Sequence, residues 1–151
     1  ETFAYAIASL PREVRALVQQ VNLNPNVDKG LFGDRRSVGG TYEWGQSGRY
    51  INIFPTANWS FGAVKAALIH EAGHAWTHQQ GWLNFFSSTQ SEWEKALAAD
   101  AVAASQYARE NVYEDAAETF ALYFATRGTP AHATYRRLMP NRFAILDAAF
   151  P

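Results

Sequence analysis

A His-Glu-x-x-His pattern occupies residues 70–74, inside a stretch with helical periodicity. His70 and His74 are about one helical turn apart, so both imidazoles project from one face and can reach the same zinc ion. Glu71 lies one step round the helix, where its carboxylate can take a proton from a zinc-bound water. The alternative is a pair of histidines that pack between two helices and are satisfied by hydrogen bonds. The pattern favours the metal site over this alternative.

A catalytic zinc ion usually has three protein ligands and one open position, so a third ligand is required. His78 is too far from His70 to supply it, because the helical rise between them is ~12 Å. A metzincin would have glycine at position 77 and histidine at position 80, and this sequence has Thr77 and Gln80. Since the chain contains no cysteine, any metal must be held by histidines and carboxylates.

Two downstream glutamates are the candidates for the missing ligand. Glu114 and Glu118 lie one turn apart on one face of a predicted helix, with alanines between them. We expect Glu114 to bind the metal and Glu118 to accept a hydrogen bond from the N–H group of a ligand histidine. The alternative is an exposed acidic pair at a helix N-terminus, where the helix dipole favours negative charge. The apolar residues that follow, such as Phe120 and Phe124, favour an inward-facing helix.

The combination of these motifs resembles a known family of zinc peptidases. About forty residues after the His-Glu-x-x-His motif comes a block with Tyr107, Glu114 and Glu118, followed by Phe120-Ala121. This block is similar to that of the gluzincin-type metallopeptidases of the anthrax lethal factor catalytic domain and Pro-Pro endopeptidase family. The similarity runs from about residue 38, with Val38-Gly39-Gly40, to the end of the chain, and Asn111 and Ala117 also agree with it.

The resemblance implies a zincin-like metallopeptidase that binds one Zn²⁺ through His70, His74 and Glu114. It implies that Glu71 is the general base, and that Tyr107 assists by donating to the developing oxyanion. Glu118 would again support a ligand histidine. A secreted protein of bacterial type, acting on protein or peptide substrates, is also implied.

The chain departs from the family at residues 34–36, where Asp-Arg-Arg stands in place of a substrate-contacting tryptophan. The sequence therefore predicts a zinc-dependent endopeptidase without naming its preferred bond. Endopeptidase action is expected because no residue pattern marks a pocket for a chain terminus. The alternative from a different functional class is a catalytically silent, zinc-stabilised domain that binds a peptide or polymer through aromatic residues.

Composition indicates what kind of chain must position these residues. Its 151 residues predict a single domain, and 48% hydrophobic with 18% charged residues are enough for a continuous core. A net charge of -1 argues against a nucleic-acid partner, and no apolar stretch approaches the ~20 residues of a membrane span. The start at Glu1, without a basic and then apolar leader, suggests a processed or excised piece.

The pattern of elements predicts an α+β fold. A short antiparallel sheet in the N-terminal part, about residues 1–58, should pack on an active-site helix over about 60–80, and a mainly helical part should follow over about 90–151. The expected elements are a first helix capped near Ser9-Pro11 and ending near Asn24-Pro25, strands Thr41–Trp44 and Arg49–Phe54, a helix from the Ser91/Glu94 capping box to about Ala104, and helices from about Glu114 to Gly128, Pro130–Leu138 and Arg142–Ala149.

Aromatic residues make up 15% of the chain and are expected to serve two purposes. Most should pack the core: Trp76, Phe120, Tyr123, Phe124, Phe143 and Phe150. Strand Arg49–Phe54 is the expected edge of a substrate cleft, because an extended peptide can add to an exposed strand. The residues proposed to line this cleft are Trp44, Tyr50, Asn52, Phe54 and Trp59.

Overall fold

A computed structural model describes residues 2–24, 40–45, 48–54, 60–82 and 87–151. The predicted α+β arrangement is confirmed, with the small sheet near the N-terminus and helices throughout the second half. The chain divides into two compact units, Glu1–Ala72 and Gly73–Pro151, and the boundary falls within the helix that carries the His-Glu-x-x-His motif. That the chain is a single domain stays a prediction. None of the helices in the described ranges combines the length and hydropathy of a membrane span.

The first unit begins with two short helices, α1 (Thr2–Ala8) and α2 (Arg12–Leu17). The expectation of one long helix ending near Asn24 is wrong, because the backbone becomes extended at Val18 and continues as strand β1 (Gln20–Leu23). The valines at 18 and 21 fit helical spacing in the sequence. Pairing of β1 with another strand overrides that local pattern.

Two further strands, β2 (Gly40–Gly45) and β3 (Gly48–Ile53), form the predicted antiparallel hairpin. β1 pairs with β3 in parallel, so the strand order is β1-β3-β2 and the sheet is mixed rather than purely antiparallel. Residues 46–47, where the sequence predicts the connection between the two strands, lie outside the described residues. Ile51 and Ile53 are fully buried and define the apolar face of the sheet.

Helix α3 (Phe61–Gln79), which carries the His-Glu-x-x-His motif, agrees with the range predicted for the active-site helix. Gly81 follows it with a φ of 76°, a conformation that glycine adopts without the strain of a Cβ atom. The amide of Gly81 donates to the carbonyl of His78, and the amide of Trp82 donates to the carbonyl of Thr77. These two bonds form a Schellman motif, which ends the helix where the sequence predicted.

The second unit contains helices α4 (Ser88–Asp100), α5 (Val112–Thr126), α6 (Pro130–Leu138) and α7 (Pro140–Ala149), with a short 3-10 helix at Tyr107–Arg109. The predicted Ser91/Glu94 capping box is wrong, because the amide of Ser91 already bonds the carbonyl of Ser87 within the helix. Ser87 is the actual cap and accepts a hydrogen bond from Gln90 N. α4 ends at Asp100 rather than Ala104, since Ala101 adopts the left-handed conformation.

An aromatic cluster forms the core of the second unit. The ring of Trp76 lies 5.7 Å from that of Trp93, 6.0 Å from that of Phe120 and 6.1 Å from that of Phe150. Such separations are typical of packed aromatic pairs. Five of the aromatic residues that the sequence predicts in the core are buried: Trp76, Phe120, Tyr123, Phe124 and Phe143.

Candidate metal centre

Three side chains offer one metal-binding group. His70, His74 and Glu114 each present one ligand atom, and these atoms all lie within 4.8 Å of one another. The Nε2 atom of His74 is 3.4 Å from Oε2 of Glu114. Ligand atoms of a tetrahedral zinc ion at ~2.05 Å are separated by about 3.3 Å, so this pair already has the spacing that zinc requires. In the described part of the chain, no second group of three such residues comes together.

Helix α3 presents the two histidines at its surface and buries the residues between them. His70 and His74 are half-buried, while Ala72 is fully buried. Because the two positions differ by about one helical turn, their rings lie one above the other on one face. This arrangement leaves the imidazoles accessible to an ion and keeps the helix anchored through its opposite face.

Close contact between α3 and α5 places Glu114 beside His74. A Cβ atom added at Gly73 would lie 2.8 Å from the Cα of Ala117 and 3.2 Å from the Cβ of Phe120. No side chain fits there, so glycine at 73 and a small residue at 117 let the two helix backbones approach each other. Glu114 is about one turn before Ala117, and its carboxylate is therefore brought next to His74.

The start of α5 is fixed by a side-chain cap. Oδ1 of Asn111 accepts hydrogen bonds from the amides of Tyr113 and Glu114, both at 3.0 Å. An asparagine in this position satisfies donors that a helix N-terminus otherwise leaves without an intrahelical partner. The cap places Glu114 in the first turn of the helix, so the helix begins slightly earlier than the predicted start at Glu114.

A buried ionic network holds the same turn from the other side. Oδ1 of Asp115 accepts a hydrogen bond from Arg142 at 2.5 Å, and Oδ2 accepts one from the indole of Trp93 at 2.9 Å. Arg142 also donates from Nε to Asp100 at 3.0 Å. Burial raises the pKa of Asp100, but hydrogen bonds from Asn141 and Arg142 outweigh burial and hold that pKa below 3.8. Asp115 therefore anchors α5 while its neighbour Glu114 turns to the metal group.

Glu71 is buried, with 5% of its surface exposed, and lies against the first residue of β2. A Cβ atom at Gly40 would lie 3.0 Å from Cγ and 3.1 Å from Oε1 of Glu71. It would also lie 3.1 Å from the carbonyl oxygen of Asn52. A side chain at position 40 would therefore force the carboxylate of Glu71 or the carbonyl of Asn52 to shift by a few tenths of an ångström.

Two other expected site residues lie in the second unit. Tyr107 begins the 3-10 helix that packs against α5, and 45% of its surface is exposed. Glu118 is half-buried on α5, one turn after Glu114. The roles of Tyr107 as an oxyanion donor and of Glu118 as a partner of a ligand histidine stay predictions.

The expected cleft residues are distributed over different environments. Trp44 is exposed, whereas Phe54 is only 4% exposed and packs in the interior. Tyr50 and Asn52 lie on the polar face of the sheet and donate hydrogen bonds to the carboxylate of Glu43, at 2.9 and 2.6 Å. Trp59 lies outside the described residues.

The strand expected to border the cleft is not at the edge of the sheet. β3 is flanked by β1 and β2, so its backbone groups are already paired on both sides. The prediction that an extended peptide adds to Arg49–Phe54 is therefore wrong. Within the described ranges β2 is paired on one side only, and it is the strand next to Glu71.

Sequence reasoning missed the two glycines that shape this site and the buried Asp115–Arg142 pair. Gly73 is an unspecified position of the motif in the sequence. Its role becomes evident only from its close contact with Ala117 in the structure. Gly40 belongs to the Gly-Gly pair that precedes the strands, and no sequence pattern assigns it a role. No local sequence pattern indicates that Arg142, which is distant in sequence, forms an ion pair with Asp115.

Comparison of the chain with protein-family profiles, with curated proteins and with solved structures finds no significant match.

Proposed function

We propose that the protein is a zinc-dependent endopeptidase. The observation that carries the proposal is the grouping of His70, His74 and Glu114, with the buried Glu71 next in sequence to one of them. Two imidazoles and one carboxylate are a ligand set found in catalytic zinc sites, which keep a fourth position open. A purely structural zinc site would have no need for the additional carboxylate of Glu71.

The donor set fits zinc better than other common ions. Imidazole nitrogen suits borderline-soft transition metals, whereas calcium and magnesium prefer sites made of oxygen atoms. The group is also half-buried, so a ligand water and a substrate carbonyl could both reach it. Bound zinc would supply Lewis acidity that polarises the carbonyl of a peptide bond.

Glu71 would act as the general base and then as the general acid. Its carboxylate accepts a proton from the attacking water and passes that proton to the nitrogen of the leaving amine. The tight fit against Gly40 limits where the carboxylate can be, which favours one orientation for proton transfer. Tyr107 is the proposed donor to the oxygen of the tetrahedral intermediate, a contribution worth about 3 kcal/mol in comparable sites.

Metal content and peptide cleavage test the proposal together. Purified protein should contain about one zinc per chain, and substitution of Glu114 by alanine should lower this content strongly. A library of acetylated and amidated peptides should be cleaved by the native chain and not by Glu71→Gln, although that variant keeps its zinc. Glu92→Gln, an exposed change on α4, serves as the matched control and should retain full activity.

Two results would contradict the proposal in different ways. If the protein contains no zinc after growth and purification in zinc-containing buffer, the two histidines do not bind zinc and only pack between helices. Protein with one zinc per chain that cleaves no member of the library would instead support the zinc-stabilised binding domain.

A further inference from the structure

β2 carries a pair of aromatic rings on the face that it turns to Glu71. Side chains of alternate strand residues share a face, so Gly40, Tyr42 and Trp44 point the same way. The Cβ direction of Gly40 leads to the carboxylate of Glu71, which fixes the orientation of this face. The aromatic pair is therefore on the same side of the sheet as the proposed general base.

Tyr42 and Trp44 form a stacked platform. Their ring centroids are 5.8 Å apart with an angle of 25° between the ring planes. Tyr42 is half-buried, whereas 51% of Trp44 is exposed. A half-exposed tryptophan that packs on a second ring is typical of a recognition surface. It offers a ligand a large rigid contact area, and little conformational entropy is lost when the ligand binds.

The distance of this platform from Glu71 corresponds to a short stretch of extended peptide. Strand residues rise by ~3.4 Å each, so Tyr42 is about 7 Å and Trp44 about 13 Å along β2 from Gly40. A peptide that pairs with β2 has the same rise. One residue of this peptide lies opposite Gly40. The residues two and four positions further along the peptide would then lie beside Tyr42 and Trp44 on the same face of the sheet.

We propose that the Tyr42–Trp44 pair is a specificity surface that selects peptides with an aromatic or bulky apolar side chain two to four residues from the cleaved bond. This inference rests on the proposed function for its substrate. The occupant is an extended peptide because β2 is one of the two edge strands of the sheet in the described ranges, and because β2, rather than the other edge strand β1, begins at the residue beside Glu71. An aromatic side chain can stack on Trp44 in the offset or edge-to-face geometries that such rings prefer.

Cleavage kinetics test this surface. Blocked octapeptides with Phe, Leu, Ala or Lys at each position are compared for the native chain, Trp44→Ala and Trp44→Phe. Native protein should prefer Phe and Leu at a position two to four residues from the cut. Trp44→Ala should lower kcat/KM for these peptides about tenfold, mainly through KM, and Trp44→Phe should restore most of it.

The matched control is Tyr5→Ala, which removes an exposed ring from α1 while leaving β2 intact. It should leave the whole preference profile unchanged. An equal fall in kcat/KM for the Phe, Leu, Ala and Lys peptides in Trp44→Ala would overturn the specificity role, since a general structural disturbance has this signature.

A binding measurement separates this inference from the proposed activity. Fluorescently labelled Phe and Ala octapeptides are titrated with zinc-loaded Glu71→Gln protein, with and without Trp44→Ala, and anisotropy is recorded. Tighter binding of the Phe peptide that Trp44→Ala abolishes supports the surface, even if the native chain cleaves nothing and the proposed activity fails. Cleavage by the native chain together with equal binding of both peptides overturns the surface and leaves the peptidase proposal intact.

Discussion

Gly73 and Ala117 stand so close that a Cβ atom on Gly73 would lie 2.8 Å from the Cα of Ala117. This separation is shorter than real Cβ contacts, so the two helices could not keep their positions with any larger residue at 73. This contact also affects the group formed by His70, His74 and Glu114, because the helix that contains Ala117 also carries Glu114. Gly73, a motif position without a chemical group of its own, thus decides how close Glu114 comes to His74.

Gly73→Ala is expected to impair the metal site through this contact. The added methyl group must push α5 away from α3, which should destabilise the protein by about 2 kcal/mol and lower zinc affinity at least tenfold, as loss of ligand support generally does. Thermal unfolding and competition with a zinc chelator measure the two effects. Gly62→Ala is the control in the same helix, because its Cβ would meet nothing closer than Ser60 Oγ at 3.8 Å. Equal zinc affinities in the two variants would contradict the prediction.

Gly40→Ala should displace the carboxylate of Glu71 without removing the metal. We expect kcat/KM to fall about tenfold, since even a shift of a few tenths of an ångström misaligns a catalytic group, while the zinc content stays at that of the native chain. Peptide cleavage and metal analysis provide the measurements.

A double-mutant cycle connects this effect to Glu71 directly. Two of the three close contacts of the added methyl group are with Glu71, so Gly40→Ala should cost less stability in a Glu71→Ala background than in the native chain. The same free-energy cost in both backgrounds would assign the clash to the carbonyl of Asn52 instead.

Removal of the helix cap should loosen the first turn of α5. Asn111→Ala loses two hydrogen bonds to the amides of Tyr113 and Glu114 and is expected to lower stability by about 1 kcal/mol. Zinc that binds through Glu114 should stabilise the native chain at least as much as the variant, so a saturating amount of zinc should leave the difference in stability undiminished. Thermal melts with and without zinc measure it. A variant as stable as the native chain without zinc would show that the cap is dispensable.

Acid should unfold the protein partly through Asp100. The folded pKa of this buried carboxyl lies below its ordinary value of 3.8, so its stabilising effect is complete above that value. The effect disappears as the pH falls through the lower pKa of the folded state. Asp100→Asn should therefore lower stability by about 3 kcal/mol at pH 7 and flatten the loss of stability below pH ~4.

Denaturant unfolding between pH 7 and pH 2 tests this expectation. Asp147→Asn is the comparison, because the pKa of Asp147 is also lowered, chiefly by Arg136, but its side chain is 35% exposed. Exposed ion pairs contribute about 0.5 kcal/mol, so this variant should lose much less stability at pH 7. If both variants lost the same amount, burial of the Asp100–Arg142 pair would not be the cause.

Local patterns predicted those parts of the fold that depend on neighbouring residues. The helix around His70, its end at Gly81, the hairpin of β2 and β3, and helix Pro130–Leu138 all follow from periodicity and turn residues. Periodicity also identified Glu114 as an inward-facing carboxylate. These features need no knowledge of distant contacts, because helices and hairpins are stabilised by bonds between residues close in sequence.

The same patterns failed where a distant partner decided the outcome. Val18 and Val21 fit a helix, yet the segment became a strand because β3 offered it a parallel partner. The hairpin pattern does not show that β3 is central, so it wrongly predicts β3 as the strand to which an extended peptide adds. Strand order is a property of the assembled sheet and is not encoded in the alternation of any single strand.

The sequence by itself determined the chemistry of the site: two histidines one turn apart, a glutamate beside them and carboxylates downstream. Only the tertiary structure decided that Glu114 comes within 3.4 Å of His74, because that distance depends on the approach of two helix backbones at Gly73 and Ala117. The tertiary structure likewise placed Glu71 against Gly40. The candidate ligands follow from residue type and spacing, whereas the distance between side chains from separate helices follows from how closely those helices can pack.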